Sequence, residues 1–105
     1  MKPPEIFMKS IYKIIWSDEA INNLSGIIEY LENRWTQKEI ENFARLLDKQ
    51  LELISSNPYL FPKGPQSKNI RKSVLTRQTS IYYYIKEKEV HLISLFDNRK
   101  RPGKI

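Results

Sequence analysis

Two amphipathic helical stretches with almost no linker between them constrain this chain more than any other feature. Ile21, Leu24, Ile27, Ile28, Leu31 and Trp35 recur at three- and four-residue spacing, with Asn22, Asn23, Glu29 and Glu32 on the opposing side. That spacing gives a helix with one apolar stripe. Ser17, followed by Asp18 and Glu19, supplies its N-cap and an acidic first turn. Thr36-Gln37-Lys38-Glu39 then has capping-box spacing: the Thr36 hydroxyl accepts from the Glu39 amide, and the Glu39 carboxylate accepts from the Thr36 amide. A second helix therefore starts at once, with Ile40, Phe43, Ala44, Leu47, Leu51 and Ile54 on its apolar face. It stops at Ser55-Ser56-Asn57-Pro58, because the residue before proline avoids the helical region. Helices this close in sequence fold back as an antiparallel hairpin, whose apolar face needs a cover.

The rest of the chain supplies that cover as strands. Tyr12-Lys13-Ile14-Ile15-Trp16 is a short β-branched and aromatic run leading into the first helix. After the second helix, Pro58-Tyr59-Leu60-Phe61-Pro62-Lys63-Gly64-Pro65 reads as a turn-rich connector pinned by Leu60 and Phe61. Strands follow near 70–76, 80–86 and 89–96, joined by tight links at 77–79 and around Glu87-Lys88. Short links make antiparallel neighbours, so the second half is a three-stranded meander. The predicted fold is α+β, in the order β-α-α-β-β-β. Strand alternation puts Tyr83 with Ile81 and Ile85, and Tyr82 with Tyr84 on the other face. The strand at 89–96 is apolar on both faces through Leu92, Ile93, Leu95 and Phe96. It is expected to need cover on two sides, from a partner protein or a second copy.

At 105 residues and 40% hydrophobic content the chain suits one domain with a modest core. We expect a flexible leader over 1–10, a single domain over 11–102 and a tail over 103–105. Met8 is a possible alternative start. The leader is a poor secretory signal, and no stretch reaches the length of a membrane span, so a soluble cytoplasmic protein is expected.

Charge and missing residue types narrow the chemistry. The net charge of +6 lies wholly in residues 69–105, where Arg71, Lys72, Arg77, Lys86, Lys88, Arg99, Lys100, Arg101 and Lys104 face only Glu87, Glu89 and Asp97. A basic sheet ending in Arg99-Lys100-Arg101 points at a polyanion or an acidic partner. Without cysteine there is no thiolate chemistry, disulfide or cysteine-ligated zinc. His91 is the only histidine, which argues against a Ser-His-Asp triad and a histidine metal site; it reads as packed mid-strand. Trp16 and Trp35 read as closing the two ends of the hairpin. Glu29, Glu32, Glu39, Glu41 and Glu52 read as solvated helix faces, some paired with lysines. With three glycines, none in a phosphate-cradling pattern, a nucleotide loop has no support.

The order of elements resembles the RelE/ParE superfamily of toxins from bacterial type II toxin-antitoxin systems. The resemblance rests on Trp16-Ser17-Asp18-Glu19-Ala20 after the opening strand and Asn57-Pro58-Tyr59-Leu60-Phe61-Pro62 after the second helix. Ile70-Arg71-Lys72 and Ile81-Tyr82-Tyr83-Tyr84-Ile85 leading to Phe96-Asp97-Asn98-Arg99 complete it. It implies a growth-inhibiting toxin held in check by a cognate antitoxin, as a homodimer or a heterotetramer with that partner, with no cofactor and no membrane. RelE-like members cut messenger RNA on the ribosome without metal; ParE-like members block DNA gyrase. In the first case the ribose 2′-hydroxyl attacks the adjacent phosphate, so a base and clustered cations are needed. The resemblance makes Arg71, Arg77, Arg99 and Tyr84 the catalytic candidates, with Tyr82 as a further stacking group. Lys72, Lys100 and Arg101 are candidates for target binding. RelE-like nucleases carry another arginine where this chain has Ser80-Ile81, and some keep a histidine or tyrosine in the tail, where this chain has no aromatic after Phe96. These departures favour the ParE-like activity, with an mRNA endoribonuclease and a non-toxic basic RNA- or protein-binding module as alternatives.

Overall fold

The computed structural model describes residues 12–64 and 69–98. Both helix caps form as the sequence implies. Ser17 is extended, and its Oγ accepts from the Ala20 amide at 2.9 Å to open α1 (Asp18–Glu32). The same hydroxyl donates to the Ile93 carbonyl at 2.9 Å, so one serine caps the helix and fixes it to the sheet. At α2 (Gln37–Ser56) both halves of the Thr36/Glu39 capping box are made, each at 3.3 Å. The 33–36 link tightens by a 2.7 Å bond from the Trp35 amide to the Leu31 carbonyl. A 3₁₀ turn, Pro58–Leu60, follows.

One four-stranded sheet carries the helices on one face. Its order is β1 (Lys13–Trp16), β4 (Glu89–Asp97), β3 (Thr79–Lys86), β2 (Arg71–Val74). The meander β2-β3-β4 is antiparallel, and β1 joins it parallel to β4, pairing Lys13 with Glu89 and Trp16 with Leu92. The β3–β4 hairpin closes on Glu87-Lys88, with Glu87 in the left-handed region at φ 57°.

The core joins Ile27, Leu31, Phe43, Leu47 and Ile54 of the hairpin to Ile81, Tyr83, Val90, Leu92 and Leu95 of the sheet. Each fully buried Leu or Ile contributes about 1.5–3 kcal/mol over leaving it in water. Trp16 packs against this core, whereas Trp35 at the hairpin tip is 45% exposed. The helix carboxylates do not find lysines: between described residues no helix acid lies within salt-bridge distance of a cation.

The double-sided apolar pattern of β4 has an internal cause, a bulge, that accounts for it without a partner. Tyr82 pairs with Ser94 and Tyr83 with Leu92, which leaves Ile93 as a bulged residue with no partner opposite. One extra residue flips the phase of a strand. Val90 and Leu92 face inward before the bulge, Leu95 and Asp97 after it, and all four are buried. A single inward face thus reads as two in sequence.

Candidate functional site

Register assigns every strand residue to a face. On the face away from the helices, cross-strand rows run Val74-Ser80-Phe96, Lys72-Tyr82-Ser94, Tyr84-His91-Ile15 and Lys86-Glu89-Lys13. Every one of these residues is at least partly exposed, against the fully buried Ile81, Tyr83 and Val90 on the other face. From Ser80 to Lys86 the rows cover about 20 Å at the strand rise of about 3.3 Å per residue. Aromatic rings and lysines thus alternate over an open surface.

One cluster on it centres on His91. The imidazole stacks on Tyr84 with ring centres 4.8 Å apart and planes 3° from parallel, and its Nε2 lies 2.9 Å from Glu89 Oε1. Glu89 is flanked in register by Lys13 and Lys86. The cluster satisfies itself and presents a flat aromatic tile. Among the described residues no group of three His, Asp or Glu side chains converges to hold a metal.

The candidate arginines do not share this face. Arg71 pairs with Tyr83, so it points toward the helix side, where Nη1 donates to the Phe61 carbonyl at 2.6 Å. Its guanidinium lies 5.1 Å from the centre of the Tyr59 ring. Beside it, the Tyr83 hydroxyl donates to the Pro58 carbonyl at 2.6 Å. Burial pushes the Tyr83 phenol up to about 12, with the Arg71 charge opposing the rise. Arg71 and Tyr83 together clamp the 58–61 connector to the sheet. Tyr84 stands on the opposite face from both.

Arg77 is exposed in the turn between β2 and β3, beyond the end of the strand and out of register with Arg71. Lys72 is on the open face beside Tyr82. Arg99, Lys100 and Arg101 lie outside the described residues. The Asn98 amide donates to the Gln78 carbonyl at 3.0 Å, so β4 ends beside the turn that carries Arg77. That turn borders an apolar pocket of about 180 Å³ at the hairpin tip, formed by Leu31, Trp35, Phe43 and Leu46 against Thr76 and Gln78. Sequence reasoning did not single out Lys13, Lys86 and Glu89 as part of one surface; strand alternation carried the signal for Lys86 and Glu89, but the position of β1 did not follow from its neighbours in sequence.

The two layers differ in charge. Residues 17–56, which form the hairpin, carry eight carboxylates against four cations, while the described residues outside it set Lys13, Lys63, Arg71, Lys72, Arg77, Lys86 and Lys88 against Glu87, Glu89 and Asp97. Among the described residues the helical layer is therefore net negative and the sheet layer net positive.

Comparison with solved structures finds this fold in several chains. A chain of the chromosomal ParDE TA system from P. aeruginosa superposes with a TM-score of 0.70 at 14% identity, covering 84% of this chain and 97% of that one. The E. coli DinJ-YafQ toxin-antitoxin complex gives 0.59 at 12% identity, covering 89% and 99%. The YoeB dimer from Staphylococcus aureus gives 0.56 at 14% identity, covering 82% and 95%. Comparison with curated protein sequences gave no match. Among the described residues, no helix is long and apolar enough to cross a membrane. The family model described as the ParE toxin of the type II toxin-antitoxin system, parDE, matches residues 14–102. With the strand order, the capped hairpin and the open basic sheet, that match makes the chain a member of the ParE toxin family of type II toxin-antitoxin systems.

Proposed function

We propose that this toxin acts in the cytoplasm as a stoichiometric inhibitor of DNA gyrase, held neutral by its antitoxin, and that its open sheet face and the Arg77 turn make the target contact. The observation that carries the reading is the placement of Arg71. Its guanidinium is engaged by the Phe61 carbonyl on the helix side, while Tyr84 lies on the open face. RNA cleavage by 2′-hydroxyl attack needs cations and a proton-transfer group around one phosphate, and forked arginine donors suit that task best. Among the described residues no strand arginine stands on the face of Tyr82 and Tyr84. Lys13, Lys72 and Lys86 supply point charges there, which suit attraction to an acidic surface. Arg99, Lys100 and Arg101 are proposed to extend this contact beyond the described residues.

Purified protein added to a gyrase supercoiling reaction and to a translating extract tests the assignment. Inhibition of supercoiling at near-equal molar ratio, with messenger RNA intact, is the predicted result. Cleaved messenger RNA with supercoiling unaffected would instead establish the nuclease reading.

A further inference from the structure

We propose that the outer edge of β1, which no described residue pairs, is a strand-addition site for an extended segment of the antitoxin that carries a lysine or arginine two residues from an aliphatic side chain. The inference rests on the reading of this chain as a toxin with a protein antitoxin.

The two edges of the sheet are treated differently. At β2 the backbone is covered: the Lys72 amide donates to the Pro62 carbonyl at 3.0 Å, the Gly64 amide to the Ile70 carbonyl at 2.6 Å, and Lys63 bridges Arg71. Gln50 Nε2 reaches the Ser73 hydroxyl at 2.6 Å and the Val74 carbonyl at 3.5 Å. Covering an edge in this way prevents adventitious pairing. At β1, among the described residues, the cover stops after Tyr12. The Tyr12 amide donates to the Ser55 carbonyl at 3.2 Å, and the Tyr12 carbonyl accepts from Ser55 Oγ at 2.5 Å. The parallel ladder then takes the Lys13 amide to the Lys88 carbonyl and the Ser17 amide to the Leu92 carbonyl. Alternation along a strand turns the amides and carbonyls of Ile14 and Trp16 outward. No described residue bonds to them.

Beside this edge runs an open groove of about 520 Å³ between β1 and α2, bordered by Lys13, Ile14, Asp48, Leu51, Glu52 and Ser55. Asp48 and Glu52 are one helical turn apart, where like charges repel. Neither lies within salt-bridge distance of a described cation. An incoming strand that pairs with Ile14 and Trp16 sends alternate side chains into the groove. One meets the half-buried Leu51; its neighbour two residues on meets the Asp48 and Glu52 carboxylates. Backbone pairing supplies affinity, and the cation with its aliphatic neighbour supplies selectivity and register.

The test uses the full chain, free and in complex with its antitoxin, and overlapping peptides tiled along the antitoxin. The Ile14 and Trp16 amides should exchange hydrogen quickly in the free toxin and slowly in the complex. A peptide with the basic and aliphatic pattern should reproduce that protection. Charge reversal by Asp48→Lys and Glu52→Lys should weaken antitoxin binding about tenfold or more, while Glu29→Lys on α1 leaves it unchanged and growth inhibition persists in both variants. Wild-type affinity in the charge-reversed protein, or exposed Ile14 and Trp16 amides in a formed complex, overturns the inference and leaves the toxin reading intact. Slow exchange already present in the free toxin also overturns it, and protection that rises with toxin concentration assigns the edge to a second copy. A chain harmless to cells without its antitoxin refutes the toxin reading separately, because edge protection is read from binding alone.

Discussion

At the scale of single residues, Arg71 and Tyr83 together hold the connector after the second helix against the sheet. Both were visible in sequence as an arginine and a tyrosine on adjacent strands, but their tasks depend on the 58–61 connector folding back across the sheet. Arg71 Nη1 donates to the Phe61 and Tyr59 carbonyls, and the Tyr83 hydroxyl donates to the Pro58 carbonyl. Replacing Tyr83 by Phe should therefore cost about 1–2 kcal/mol, since the Pro58 carbonyl loses its buried donor. The Tyr83 phenol is pushed up to about 12 in the fold, and an unfolded tyrosine titrates near 10. The neutral form is thus favoured by folding: the stability it brings is complete below about pH 10 and declines as pH rises toward about 12. Urea unfolding between those pH values should show that decline in the wild type and a shallower one in Tyr83→Phe. Arg71→Ala should lower stability by about 1 kcal/mol, the cost of removing a charged hydrogen bond to the part-buried Phe61 carbonyl. Gyrase inhibition per folded molecule should be kept, and loss of inhibition at full folding would restore Arg71 as a site residue.

At the scale of elements, local chemistry made the helices legible and non-local pairing hid parts of the sheet. Ser17 and the Thr36/Glu39 box mark their helices because a cap is a contact within a few residues, and both are made. Thr36→Ala should destabilise the protein by about 1 kcal/mol, read as a lower thermal midpoint with unchanged structure. The tyrosine alternation in β3 was equally readable, because a strand with one buried face carries period two. What sequence could not give was the bulge at Ile93, since its pattern of Leu92, Ile93, Leu95 and Phe96 reads as two apolar faces. Nor could it place β1 beside β4, a pairing between opposite ends of the domain. Deleting Ile93 provides the check: with the extra residue gone, simple alternation from Leu92 puts Ser94 and Phe96 outward and Leu95 and Asp97 inward, the faces they already occupy. The deletion variant should fold with its near-ultraviolet dichroism kept, losing only the stability of the Ser17 bond to the Ile93 carbonyl, whereas an unfolded deletion variant would show that the strand needs Ile93 itself and not just the phase.

At the scale of the whole molecule, the fold separates charge into two layers and gives the toxin a front. The acidic hairpin faces away, and Lys13, Lys72 and Lys86 stand among Tyr82, Tyr84, His91 and Phe96 on the open sheet. Composition had located the positive charge in the last third of the chain; only the register divided it between an open face, a structural clamp at Arg71 and the Arg77 turn. Charge at such a surface acts on association rate and orientation, so its contribution falls as salt rises. The Lys72→Glu, Lys86→Glu double variant should keep its fold, because both side chains are solvated, and should weaken target inhibition about tenfold or more at low salt, with a smaller difference at high salt.

The most direct measurement is a titration of wild-type toxin and this double variant into gyrase supercoiling, with messenger RNA integrity followed in a parallel translating extract. The account predicts stoichiometric inhibition by the wild type, recovery of supercoiling with the double variant, and uncut messenger RNA throughout. Intact supercoiling alongside cleaved messenger RNA would contradict it.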